Sequence, residues 1–217
     1  MLLIDLLMKQ GVFLILLLSS VCTFAQKSEV KAVKASFDNY KQAILSDKGE
    51  EAVQYVDSRT INYYGEVLEK VKHADSATVN GLALIDKVMV FSVRHRSTKQ
   101  EILSFDGKAL LVYAIKSGMV GKNSVVNSSI GDVTVEGTFA KGQYVSNGQK
   151  APFNFNFYKE DNAWKVDLTS IFPTTNMVFR KLVEESGQTE NDFLFSILET
   201  LTGKRPGDDI WIPTQEL

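Results

Sequence analysis

The sequence predicts an α+β fold, with N-terminal helices packed on a curved antiparallel β-meander and further helices added at the C-terminus. Three observations carry this. Apolar residues recur at helical spacing from Val30 to about Lys116, the period falls to two between Asp132 and Leu168, and helical spacing returns after Thr175.

Ser28 can cap a first helix running to about Ser46, because Val30, Val33, Phe37, Tyr40 and Ile44 share one face. Lys48-Gly49 ends it, and a short second helix turns Ala52, Val53 and Val56 inward. A third helix starts near Ser58 and carries Ile61, Tyr64, Leu68 and Val71 on one side. Asp75-Ser76 punctuates, and a fourth helix is expected from about Thr78 to Arg94. Its stretch Leu82 to Val93 is nearly all apolar and should be the most buried helix. Strand is the competing reading for Val88 to Val93, which is rich in β-branched and aromatic residues. Thr98 to Phe105 reads as another helix, Asp106-Gly107 as a turn, and Lys108 to Lys116 as an apolar segment stopped by Gly118.

The meander follows. Asp132 to Ala140 alternates through Val133 and Val135, then Thr138 and Phe139. Pro152 to Lys159 sets Phe153, Phe155 and Phe157 on one face and Asn154, Asn156 and Tyr158 on the other. Ser146-Asn147-Gly148 is the turn before it, and Glu160-Asp161-Asn162 the turn after it. Trp164, Val166 and Leu168 then alternate with Lys165, Asp167 and Thr169, which places Asp167 toward solvent if the first three face the core. Thr175 or Asn176 can cap a helix that closes at Gly187. Thr189 with Asp192 opens the last helix, which packs Phe193, Ile197, Leu198 and Leu201. Residues 206–217 read as an extended tail containing Ile210-Trp211-Ile212-Pro213.

The hairpin Phe155-Asn156-Phe157-Tyr158-Lys159-Glu160-Asp161-Asn162-Ala163-Trp164-Lys165-Val166-Asp167 resembles the closing hairpin of the nuclear transport factor 2-like superfamily, of the form F-x-F-x-K-E-x-x-x-W-K-V-D. Asp132 to Phe139 resembles the strand before it, so the likeness covers about Ser129 to Ser170. It implies a cone-shaped α+β domain, with more helix before the sheet than the family's core needs and two helices added after it. Such cones serve enzymes, binding domains and structural modules alike, so function has to be argued from the site. Family enzymes carry an Asp, His or Tyr cluster inside the cone, for which this chain offers few groups.

Gly11 to Val21 is an uncharged apolar run, too short for a membrane span of about 20 residues, and Thr23-Phe24-Ala25 supplies small residues at a peptidase site. Residues 1–25 therefore read as a signal peptide, with 26–217 as one mature domain. Met8-Lys9-Gln10 makes a better positive lead than Met1 to Leu7 with its Asp5, so Met8 is the expected start. A retained anchor and acylation of Cys22 are the competing readings, the latter opposed by the branched Val21 before it. Cys22 is the only cysteine, so cleavage leaves no thiol for a disulfide, zinc-thiolate site or nucleophile. That points to a bacterial periplasm or cell surface. The net charge of −2 is mixed along the chain and excludes a nucleic-acid or polybasic membrane face.

Chemistry-bearing residues are sparse. His95, between Arg94 and Arg96, is the best candidate base, and the two cations favour its neutral form; otherwise it is a surface residue. His73 reads as a cation at a helix C-terminus. No metal-ligand spacing, nucleophile elbow or phosphate loop appears, and no cofactor is implied. Tyr63-Tyr64 can place one ring in the core, and Tyr64, His95 and Tyr158 are the candidate ligand-binding residues. Trp211 is the candidate anchor of a docking tail. The first expectation is a non-catalytic exported domain binding a small apolar ligand or an envelope protein. The alternatives are a small cofactor-free hydrolase or isomerase built around His95, and an envelope component docking through its tail.

Overall fold

A computed structural model describes residues 26–120 and 122–217; the export-signal reading at 1–25 lies outside the described residues. The fold is α+β. Helix α1 spans 26–45, and α2 (Gly49–Ala52) runs into a 3-10 turn at Val53–Tyr55. Then come α3 (Ser58–His73), α4 (Ser76–Asn80), α5 (Leu84–Arg96), α6 (Lys99–Ser104) and α7 (Gly107–Lys116). Strands β1 (Ser128–Glu136), β2 (Phe139–Ser146), β3 (Gln149–Glu160) and β4 (Ala163–Asp167) form one antiparallel sheet in the order β1-β2-β3-β4. Helices α8 (Phe172–Ser186) and α9 (Glu190–Thr202) and a 3-10 turn at Asp208–Trp211 complete it.

The helix starts are made by short polar side chains satisfying the first free N–H groups. Asp57, Asp75, Asp106 and Thr189 each accept from the backbone N–H three residues on, and Thr98 with Glu101 forms a full capping box. Gly187 and Gly203 end α8 and α9 at positive φ, where glycine carries no Cβ penalty. In the sheet, Asn147-Gly148 and Asp161-Asn162 both hold positive φ, the geometry of the two-residue hairpin turn that matches strand twist.

Helix α1 lies against one face of the sheet. Val33, Phe37, Tyr40 and Ile44 are buried there with Phe155, Phe157, Trp164 and Val166. Phe37 and Phe155 stack with centroids 5.6 Å apart, and Ser36 Oγ donates to the Trp164 carbonyl at 2.6 Å. This face is filled by the protein's own aromatic rings. The remaining helices form a second layer built on α3, whose Tyr64, Val67, Leu68 and Val71 are buried, and on Leu110, Leu111, Ala114 and Ile115 of α7.

Five expectations are corrected. The helix expected over Thr78–Arg94 is two, because the chain breaks between Asn80 and Leu84 at Gly81, whose Asn-Gly pair is a turn signal; Val88 to Val93 is helical. The strand expected over Asp132–Ala140 spans a hairpin, turning at Gly137-Thr138 into β2. Strand β2 is masked in the sequence by Gly142, which breaks the alternation. A Cβ there would lie 2.6 Å from Ile130 Cγ2 and 2.9 Å from Phe157 Cε2, so the close packing of β1 and β3 around it requires glycine. Asp167 is only 4% exposed, because the start of α3 covers the second face of β4; its carboxylate accepts from Thr169 N and Oγ1. Helix α8 begins at Phe172, with Pro173 in its first turn, so Thr175 lies inside it and donates to the Ile171 carbonyl. The segment 206–217 is docked rather than extended: Ile210 and Thr214 are buried, and Thr214 and Gln215 N–H groups bond to the Val71 and Lys72 carbonyls.

Candidate functional site

The described helices frame a partly open apolar pocket of about 170 Å³. Tyr64 of α3 lies on its wall, facing Val88, Met89, Ser92 and Val93 of α5, Leu110 and Ala114 of α7, and Met119 and Val120 just beyond. Phe179 of α8 and Ile197, Leu198 and Leu201 of α9 close the other side. The space exists because α7 puts the small Ala114 where its neighbours carry leucine and isoleucine, and because α8 covers the site without sinking into it. None of α8's residues is buried.

Among the described residues, no charged one lines this pocket. Burial pushes the Tyr64 hydroxyl well above the usual phenol range, so it stays neutral. Its ring meets Tyr63 edge-on at 5.8 Å. Tyr63 donates to Asp86 Oδ1 at 2.8 Å, and Lys70 pairs with the other oxygen at 3.2 Å, which ties α3 to α5. Burial first, and then the Asp86 carboxylate, raise the Tyr63 hydroxyl as well. Among the described residues, Ser92 is the only polar side chain on the lining besides Tyr64.

The other candidate residues lie elsewhere. His95, at the end of α5, has Nε2 3.0 Å from both Thr202 Oγ1 and the Lys204 carbonyl at the end of α9. Its neighbour Arg94 donates to the Lys70, Val71, Ala74 and Ile210 carbonyls. It thereby closes the C-terminus of α3 and holds the tail. Burial lowers the Arg94 pKa from its usual value. Tyr158 is on the opposite face of the sheet, with the Arg59 guanidinium 3.4 Å above its ring. Trp211 packs edge-on against Phe91 at 4.9 Å and Phe195 at 5.9 Å. Tyr64, His95 and Tyr158 are thus not brought together.

A second, open groove runs between α1 and the β3–β4 turn. Its charges are engaged with one another: Glu29 accepts from Lys159 Nζ at 2.8 Å and from Trp164 Nε1 at 2.5 Å. The Lys159 bond, and then the Trp164 bond, lower the Glu29 pKa.

Among the described residues no cluster of three or more His, Cys, Asp or Glu side chains could hold a metal ion, and no helix is long and apolar enough to cross a membrane. The pocket residues Met89, Ala114, Met119 and Phe179 escaped the sequence reading. Their only signal was small and flexible apolar side chains within otherwise bulky helical faces. No family model, curated protein or solved structure matches the chain.

Proposed function

We propose that this chain is an exported, non-catalytic binding protein whose helical pocket takes one small, uncharged apolar molecule. The observation that carries the reading is the largely sheltered space of about 170 Å³ whose described wall is uncharged and almost wholly apolar. An engineered apolar cavity of about 150 Å³ stays dry and admits benzene. A similar volume walled by two methionines, a phenylalanine and a tyrosine favours the same class of occupant. The likeness of the closing hairpin to nuclear transport factor 2-like domains belongs to the same proposal. Here the sheet face is filled by Phe37, Phe155 and Phe157, which moves the binding place to the helices. Export rests on the Gly11–Val21 run and the Thr23-Phe24-Ala25 exit. Binding is favoured over chemistry at His95 because its Nε2 donates toward the Lys204 carbonyl and Thr202 Oγ1, which ties the ring to the end of α9 and outside the pocket lining.

Benzene tests this directly. It should raise the melting temperature and shift the methyl resonances of Met89 and Met119. Ser92→Phe, which fills the pocket from its wall, should abolish both effects. An unresponsive wild type, or a Ser92→Phe variant that responds as before, overturns the reading.

A further inference from the structure

The pocket has an outer compartment. The end of α8 and the adjoining face of α9 frame a groove of about 300 Å³, whose apolar wall includes Ile197 and Leu201. The same two side chains line the inner pocket, so the compartments meet along them. Leu201 is 67% exposed at that junction, a leucine left in water between two cavities.

The groove's rim has a definite hydrogen-bond polarity. Ser196 Oγ donates to the Asp192 carbonyl at 2.9 Å and Thr200 Oγ1 to the Ser196 carbonyl at 2.8 Å. Ser186 Oγ donates to the Val183 carbonyl at 2.7 Å. A carbonyl can only accept, so each hydroxyl has spent its one proton and offers lone pairs alone. Among the described residues, the Gln188 amide is the only side-chain donor left on the rim, and it is uncharged. No Lys, Arg or His among the described residues lines either compartment. A carboxylate or phosphate would find almost nothing to bind, whereas a hydroxyl or amide N–H would meet acceptors.

We infer that the occupant is a single-chain amphiphile with an uncharged, hydrogen-donating head. Its alkyl chain fills the inner pocket and crosses Leu201, and its head lies against Ser196 and Thr200. The inference rests on the pocket reading above and deepens it: the inner compartment alone holds a molecule of about benzene's size, so a longer chain has to continue into the groove.

Three probes on the full chain test it by titration calorimetry: benzene, decanol and decanoate. Decanol should bind about tenfold or more tightly than decanoate. The double variant Ser196→Ala/Thr200→Val should weaken decanol about fivefold, as expected for two exposed neutral hydrogen bonds, and leave benzene unchanged. Both substitutions are on the groove's rim, outside the packed core, and should leave the fold intact. Decanoate binding as tightly as decanol, or a double variant with undiminished decanol affinity, overturns the inference. If benzene binds and decanol does no better, the amphiphile is wrong and the pocket stands. If none of the three binds, both fall.

Discussion

The sheet with α1 and the corner made by α8 and α9 use similar amphipathic sequences to opposite ends. On the sheet, the central rings of the apolar stripe are taken out of water: Phe157 is 0% exposed and Phe37 1%. Cross-element bonds such as Ser36 to Trp164 and Lys41 to Ser128 fix α1 in place. At the corner, α8 runs for 15 residues with none buried, and Met177 and Leu201 are 64% and 67% exposed. The first region is where burial stabilises the fold. In the second, α9 is anchored by the buried Leu194 and Leu198 while α8 has little packing to lose, and elements of that kind are the ones that open to admit ligands.

Substitutions should report this difference with graded effects. Phe157→Ala leaves a ring-sized void under α1 and should cost about 4 kcal/mol by urea unfolding; a loss under about 1 kcal/mol would mean that the sheet face is not the stabilising core. Arg94→Ala removes the guanidinium from four carbonyls at the end of α3 and on the tail, of which those of Lys70 and Val71 keep the Ala74 and Thr214 N–H donors. It should cost about 3 kcal/mol, and amide exchange at Thr214 and Gln215 should accelerate. Unchanged exchange there would show that the tail is held by Ile210 and Trp211 alone. Thr189→Ala removes the α9 cap and should cost about 1 kcal/mol.

A smaller, pH-dependent effect belongs to Glu29, whose pKa in the fold lies below its ordinary value of about 4.3. A depressed carboxylate contributes stability that is complete above the unfolded pKa and lost as pH falls through the folded one. The stability gap between wild type and Glu29→Gln should therefore be full at neutral pH and close in acid. A gap that persists at low pH would assign it to packing instead. Met177→Ser should change stability by less than about 0.5 kcal/mol; a larger loss would mean that α8 is held by more than its inner edge.

Much of the fold was legible because it depends on local rules. The stripe Val33, Phe37, Tyr40, Ile44 announces α1, Thr189 with Asp192 announces the start of α9, and Asn147-Gly148 and Asp161-Asn162 announce the hairpins. Asn80-Gly81 was equally local but was outweighed by the apolar run after it. What could not be read locally was any residue whose role is set by a distant neighbour. Gly142 looks like a strand breaker until Ile130 and Phe157 are seen against it. Asp167 looks solvent-facing by alternation, but β4 is covered on both sides, since the Leu168 N–H bonds to Thr60 Oγ1 of α3. The candidate site shows the same limit. Tyr64 was singled out from its chain neighbourhood, while Met89, Ala114, Met119 and Phe179 become a wall only when five helices meet.

The sequence by itself determined the α+β class, the placing of most helices and turns, and the scarcity of catalytic groups. Periodicity, capping and composition act over a few residues and need no partner to be read. Tertiary structure alone decided that the sheet face is filled, that the tail and Trp211 belong to the fold, and that the open space lies among the helices beneath α8. Those outcomes depend on which side chains from remote segments occupy the same volume. Close packing makes that a property of the assembled layers and not of any one of them.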